Sequence, residues 1–267
     1  MKTQDRFVLT IAVVVGLSTA SVAQAQTASP YQSDGLNTLG LSMIGKIYLA
    51  GTDTTSRSFQ TLAPGYVTTV EQKLPEGVAF TGAGLNQLDP QRLYFLFDYA
   101  PRVYYLYEGA GFYNALGATI ASASKPTSSI LTGNTFMIFP HVKSSISPVA
   151  SSGSGVRSST EPLMLGDFVQ LPTVKAGQQL SFFCVSNITN QTYLNDSSEA
   201  VFYNGAANNP DNYQHLVAFF PDNSQYIIIG FEDMTGGGDK DCNDVMFVVD
   251  VGPLNAQVWR NPNTLPK

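Results

Sequence analysis

Residues 226–251, YIIIGFEDMTGGGDKDCNDVMFVVDV, place two apolar runs around an acidic, glycine-rich turn. Each run is short, rich in Ile, Val and Phe, and bounded by turn residues, which reads as a pair of buried strands rather than a helix. Between them lie Glu232, Asp233, Asp239, Asp241 and Asp244 against a single Lys240, a local charge of −4. Carboxylates crowded between buried strands repel one another and are costly to desolvate. The chain must therefore fold so that something compensates them.

Further short β-rich runs recur between Gly, Pro, Asn, Asp and Ser clusters: Ile47–Leu49, Leu93–Phe97, Val103–Tyr107, Phe136–Phe139, Phe168–Leu171, Leu180–Val185 and Leu216–Phe220. With the two runs of the hairpin they predict an all-β fold, an antiparallel β-sandwich that is jelly-roll-like. Helical periodicity is scarce. Residues 91–252 are expected to form the sandwich domain, with residues 26–90 packed on it as a leader carrying a short helix. A turn is expected at Leu74-Pro75-Glu76-Gly77. The Ser/Gly-rich stretch at 144–160 reads as a surface loop, and 253–267 as a C-terminal tail.

At the other end, Lys2 and Arg6 precede an apolar run from Phe7 to Leu17 and the small residues Ala23-Gln24-Ala25. This is the pattern of a secretory signal cleaved after residue 25. It predicts a secreted, extracellular or periplasmic bacterial protein. No later run approaches the roughly 20 apolar residues of a membrane span. Removing residues 1–25 takes away Lys2, Arg6 and Asp5 and moves the formal charge from −6 to −7. With no basic stripe to displace counterions, nucleic acid is excluded as a partner. The two cysteines, Cys184 and Cys242, rule out a disulfide-dense scaffold; export permits one bridge between them, and buried free thiols are the alternative.

A hard cation answers the charge problem of the 232–244 loop. Calcium takes six to eight oxygens from carboxylates, amide carbonyls, backbone carbonyls and water. Asp239, Asp241 and Asn243 alternate, so that a curled loop turns them to one centre, and Gly236-Gly237-Gly238 permits the positive φ angles of a close approach. Glu232 and Asp233 are the expected additional ligands. Asp244 either coordinates or caps the turn through backbone N–H groups. An EF-hand is excluded, because its sixth position falls on Asp244 rather than glycine and no helices flank the loop. Zinc is disfavoured, as no His or reactive Cys joins the acids at a usable spacing.

Gly230-Phe231-Glu232-Asp233, Gly236 to Asp241 and Asn243-Asp244-Val245 resemble the signature of domain-of-unknown-function family 4114, a family of bacterial extracellular proteins. Val103–Gly117, Phe139-Pro140, Leu165-Gly166-Asp167, Ala176-Gly177 and Phe182–Asn187 are similar to its upstream segments, so the resemblance spans about residues 91–252. It implies a secreted, β-rich, calcium-dependent module and assigns no reaction. Cys242 departs from the aromatic residue usual there.

Other candidates are weaker. The turn Glu108-Gly109-Ala110-Gly111-Phe112-Tyr113-Asn114 lacks the third glycine and following helix of a phosphate loop, but Glu108 or Asn114 could join the metal site. Tyr104, Tyr105 and Tyr107 with Phe112 and Tyr113 form either an aromatic platform for a sugar ring or core filling. His215 is expected to be half-buried and structural. The reading is a non-enzymatic calcium-binding module that contacts an extracellular glycan or surface protein in adhesion or matrix assembly. The alternatives are a calcium-dependent carbohydrate-binding module and a glycan hydrolase using Glu108 or the loop acids.

Overall fold

The structure, a computed structural model, describes residues 27–31, 38–82, 87–89, 93–145, 155–188, 200–261, 263 and 265–266. The signal-like residues 1–25 and residues 146–154 of the Ser/Gly stretch lie outside these. Among the described residues, ten strands form two sheets: β1 (Ile47–Tyr48), β2 (Arg102–Tyr107), β3 (Asn114–Ser122), β4 (Asn134–Val142), β5 (Phe168–Gln170), β6 (Gln178–Ser186), β7 (Ala200–Tyr203), β8 (Leu216–Phe219), β9 (Tyr226–Phe231) and β10 (Val245–Asp250). One sheet has the order β1-β5-β2-β10-β9-β8 and the other β4-β3-β6-β7. Every pairing between these strands is antiparallel. The chain crosses between sheets at β2–β3, β4–β5, β5–β6 and β7–β8, and the fold is the expected all-β sandwich.

The six-stranded sheet is buried on both faces, which explains why its strands read as unbroken apolar runs rather than alternating ones. In β10, Val245, Phe247 and Val249 face the interior between the sheets, where Phe182 of β6 meets Phe247 with ring centroids 4.9 Å apart. Met246 and Val248 face the other way, into a second core under α1 (Thr54–Lys73). That helix lies within the 26–90 leader and is 20 residues long, where a short one was expected. Its apolar stripe is thin: Phe59, Ala63, Tyr66 and Val70 among Ser, Thr and Gly, with Pro64 removing an interior hydrogen bond. Local propensity is therefore weak and packing supplies the stability. Phe59 stacks on Tyr104 of β2 at 3.9 Å between centroids.

The start of α1 is fixed from two directions. Asp53 accepts from the Ser56 N–H at 2.7 Å, while the Asp53 N–H donates to the Ser56 hydroxyl at 3.0 Å, a reciprocal cap. The same carboxylate pairs with the Arg102 guanidinium of β2 at 2.8 Å. The cap thus ties the helix to the sheet that it covers.

Two strands escape the sequence pattern. β3 reads NALGATIAS, small and weakly hydrophobic, yet it is an interior strand of its sheet, joined to both β4 and β6. Its smallness is required by packing: a Cβ on Gly117 would run into the Phe183 ring and lie 2.9 Å from the Phe136 carbonyl. β7 has only four residues. Conversely, Leu93–Phe97, expected as a strand, forms the isolated bridge Tyr94↔Gln179, with the Phe95 N–H donating to the Gln178 carbonyl at 2.8 Å. The pairing stops there, because the N–H groups of Leu96 and Phe97 turn to the side-chain Oδ1 of Asn255 at 3.2 and 3.1 Å.

Asn255 belongs to α2 (Pro253–Trp259), so the start of the C-terminal tail packs into the core. Trp259 is buried, donates Nε1–H to the Tyr94 carbonyl at 2.8 Å and meets Phe95 edge-on at 5.1 Å. The cysteine question is also resolved: both thiols are buried and free. Cys184 packs between the sheets and Cys242 on the helix side of the six-stranded sheet, so a layer of β-structure separates them.

Candidate metal centre

The loop of residues 232–244 joins β9 to β10 and is held by its backbone on both sides. The Glu232 N–H donates to the His215 carbonyl at 2.9 Å, and the Glu232 carbonyl faces His215 Nδ1 at 2.9 Å. A carbonyl can only accept, so Nδ1 carries the proton there. His215 Nε2 lies 2.8 Å from Asp211 Oδ2, which also accepts the Gly236 N–H at 2.6 Å. The Ser186 hydroxyl at the end of β6 donates to the Asp233 carbonyl at 2.5 Å. His215 is fully buried and stacked on Phe202 at 3.7 Å, a structural role as expected, though deeper than half-buried.

The loop curls through left-handed backbone. Gly236, Gly237 and Gly238 have φ of 80°, 87° and 46°, and Lys240 and Cys242 adopt 70° and 58° between the side chains of interest. Gly238 shows the need for glycine most directly, since a Cβ there would lie 2.5 Å from Glu232 Oε1. Left-handed geometry at the two non-glycine positions is a local strain of order 1 kcal/mol each. Packing of the loop between anchored strands holds it.

Two groups of acids result. Carboxylate oxygens of Glu232, Asp241 and Asp244 lie within 4.8 Å of one another, and so do those of Glu76, Asp239 and Asp241. Two oxygens coordinating one calcium at 2.3–2.6 Å are at most about 5 Å apart, so either spacing suits a single ion. Asp241 belongs to both groups and is buried; it accepts the Gly77 N–H at 2.8 Å and the Asn243 N–H at 3.1 Å. Glu232 is only 1% exposed, and its Oε2 has no hydrogen-bond partner. Asp244 Oδ2 accepts the Asp233 N–H at 2.9 Å, so it both caps the turn and joins the acid group.

The electrostatics record the same crowding. Burial, then Asp239 and Asp241, push the Glu232 carboxyl well above the carboxylate range. Burial, with Asp233 and Glu232 nearby, pushes Asp244 up. Burial and Asp239 raise Asp241, and burial with Asp241 and Asp239 raises Glu76. In each case burial and neighbouring like charge disfavour the ionised form.

Of the six residues read from sequence, Glu232, Asp241 and Asp244 converge, Asp239 joins Asp241, and Asn243 sits beside them with its Oδ1 buried and unpartnered. Asp233 is outside both groups of three but lies near enough to Asp244 to add to burial in raising its carboxyl. Its Oδ2 accepts Asn114 Nδ2 at 2.7 Å, which fastens the loop to β3. This accounts for Asn114, which supports the site through Asp233. Glu108 turns away and pairs with Lys143 at 3.0 Å. The residue missed in the sequence was Glu76, whose turn was expected but whose carboxylate was assigned no role.

Of the two readings of the aromatic run, core filling holds for its tyrosines at 104, 105 and 107. Tyr104, Tyr105 and Tyr107 are all buried in the cores, and only Tyr113 is exposed, stacked on His141 at 5.1 Å. A cavity of about 550 Å³ does open beside the loop, with Phe80, Gln87, Asp89, Tyr213, Gln214 and Cys242 among its lining residues. The Phe80 N–H donates to the Lys240 carbonyl at 2.6 Å, and the Lys240 ammonium lies over the Tyr213 ring at 5.6 Å, so this cavity shares a wall with the loop.

No helix among the described residues is long and apolar enough to cross a membrane. No curated protein and no solved structure matches the chain. A family model described as a domain of unknown function, DUF4114, matches residues 174–252, from before β6 through β10 and including the whole acidic loop. The similar upstream segments at 103–117, 139–140 and 165–167 fall outside the matched residues. Over residues 174–252, the chain is similar to the DUF4114 family.

Proposed function

We propose that this is a secreted, non-enzymatic module in which calcium, held by Glu232, Asp241 and Asp244, braces the β9–β10 loop for adhesion, matrix assembly or surface contact. The observation that carries the reading is the convergence of three carboxylates around a buried, unpartnered Glu232 oxygen. The donor set is all oxygen, which suits a hard cation. Both His215 nitrogens face oxygen partners, and burial holds the Cys242 thiol far above its usual pKa, so neither is a soft ligand for zinc. The pattern of residues 1–25 supports export.

At a dissociation constant of about 10⁻⁴ M and millimolar calcium, occupancy stabilises by roughly 1–2 kcal/mol. Melting temperature should rise by roughly 3–6 °C between chelator and millimolar calcium. An unchanged melting curve would sink the reading. The chelated protein also has a characteristic pH dependence. Carboxyls raised in the folded state bind more protons folded than unfolded, so their stabilising contribution is present below about pH 4 and is lost as pH rises through their folded values. Melting in chelator should be higher at pH 5 than at pH 8, and calcium should narrow or reverse that difference. A chelated protein more stable at pH 8 would contradict the acid crowding.

A second reading, calcium-dependent carbohydrate contact, is favoured by the cavity beside the loop, where Phe80 and Tyr213 offer ring faces and Gln87, Gln214 and Asp89 offer polar groups. A glycan array left blank in millimolar calcium would remove it. The hydrolase reading loses its main acid, because Glu108 is buried against Lys143.

A further inference from the structure

We infer that the loop holds a second divalent cation, bound by Glu76, Asp239, Asp241 and the Asn243 amide oxygen, which clamps the N-terminal helical segment onto the sandwich. The inference rests on the calcium reading above and adds a position that Glu232 and Asp244 do not share. Asp241 alone belongs to both acid groups.

The second position has its own unsatisfied oxygen. Asn243 is 1% exposed; its Nδ2 donates to the Leu74 carbonyl at 3.1 Å, which fixes the amide orientation and leaves Oδ1 buried without a partner. That oxygen lies against Gly109. A Cβ added to Gly109 would run into Asn243 Oδ1 and lie 3.0 Å from Glu76 Oε2. Two acceptor oxygens are therefore brought to one side of Gly109, an arrangement that is repulsive until a cation or a donor joins them. Glycine at 109 is what lets them approach the backbone this closely.

Charge gives the same answer. Glu76, Glu232, Asp239, Asp241 and Asp244 carry −5 when ionised; one divalent ion leaves −3 and two leave −1. A single ion would still strand like charges around the shared Asp241. Glu76 stands in the turn that directly follows α1, and the Gly77 N–H already donates to Asp241 at 2.8 Å. An ion at this position links α1 and its turn, which precede residues 174–252, to the loop within that segment.

Calorimetric titration of calcium into the full chain, beside Glu76→Gln, tests the inference. Glu76 is exposed, so the substitution leaves the fold intact. The expected result is two calcium ions per chain for the parent and one for E76Q, with calcium-dependent hydrogen-exchange protection at residues 74–80 lost in the variant. One ion in the parent overturns this inference and leaves the calcium reading standing; none overturns both. Two ions in both proteins, or unchanged protection, overturns the role given to Glu76.

Discussion

Replacing Asp241 by asparagine is expected to erase the effect of calcium on thermal stability. Asp241 is the one carboxylate common to both acid groups. Asparagine is nearly isosteric, but its single oxygen can accept only one of the Gly77 N–H, held by Oδ2 in the parent, and the Asn243 N–H, held by Oδ1, so the variant loses the charge together with one local hydrogen bond. Calcium is expected to raise the parent's melting temperature by roughly 3–6 °C. In D241N that rise should fall to within about 1 °C of zero. In chelator the variant should melt no lower than the parent by more than a few degrees, because removing one of several crowded acids relieves repulsion. A variant that keeps the full calcium shift would remove Asp241 from the site.

A larger loss of stability is expected at the opposite end of the sandwich. Trp259→Ala should destabilise by about 3–5 kcal/mol, the usual range for truncating a buried aromatic. In a chain of this size that lowers the melting temperature by roughly 6–20 °C, whether or not calcium is present. The reason is specific: Trp259 fills the interior beside Phe95, and its indole N–H satisfies the Tyr94 carbonyl. Trp259→Phe keeps most of the area and loses the hydrogen bond, so it should cost about 1 kcal/mol. A drop below about 2 °C for the alanine variant would mean that α2 is dispensable. Differential scanning calorimetry in chelator and in calcium measures both variants and separates loss of the cation from loss of the core.

These two sites differ in how far the sequence exposed them. The hairpin was legible because two apolar runs around five acids leave few solutions, and β9 and β10 match those runs closely. The ligand candidates Glu232, Asp241 and Asp244 followed from the same argument. The Asn114 partner of Asp233 was not legible, because alternation along a chain does not say which residue lies across it, and Asn114 arrives 119 positions away. Glu76 was missed for the same reason: its partners at 239 and 241 are brought to it by the packing of α1 on the sheet. α1 itself was hidden by its thin stripe and Pro64. β3 was hidden because close packing on Phe183 demands glycine and alanine where a strand signal needs larger side chains.

The tyrosines illustrate a limit of pattern reading. Alternating aromatics suit a sugar platform or a core, and the deciding fact is what covers the second face of the sheet. Here α1 covers it, burying Tyr104 and Tyr107, while Tyr105 faces the other sheet. Any glycan contact would instead fall to the cavity beside the loop, where Tyr213 also touches Lys240. The acidic loop would then order one wall of that cavity, coupling cation occupancy to whatever binds there.

The most direct test of the central claim is calorimetric titration of calcium into chelator-stripped protein near neutral pH, repeated in buffers of different ionisation enthalpy. Saturable binding with a dissociation constant of about 10⁻⁴ M or tighter is expected. The apparent heat should vary with the buffer, because the ion displaces protons from the raised carboxyls of Glu232 and Asp244. No saturable heat up to about 10 mM calcium, well above the range of extracellular sites, would contradict a calcium-braced loop.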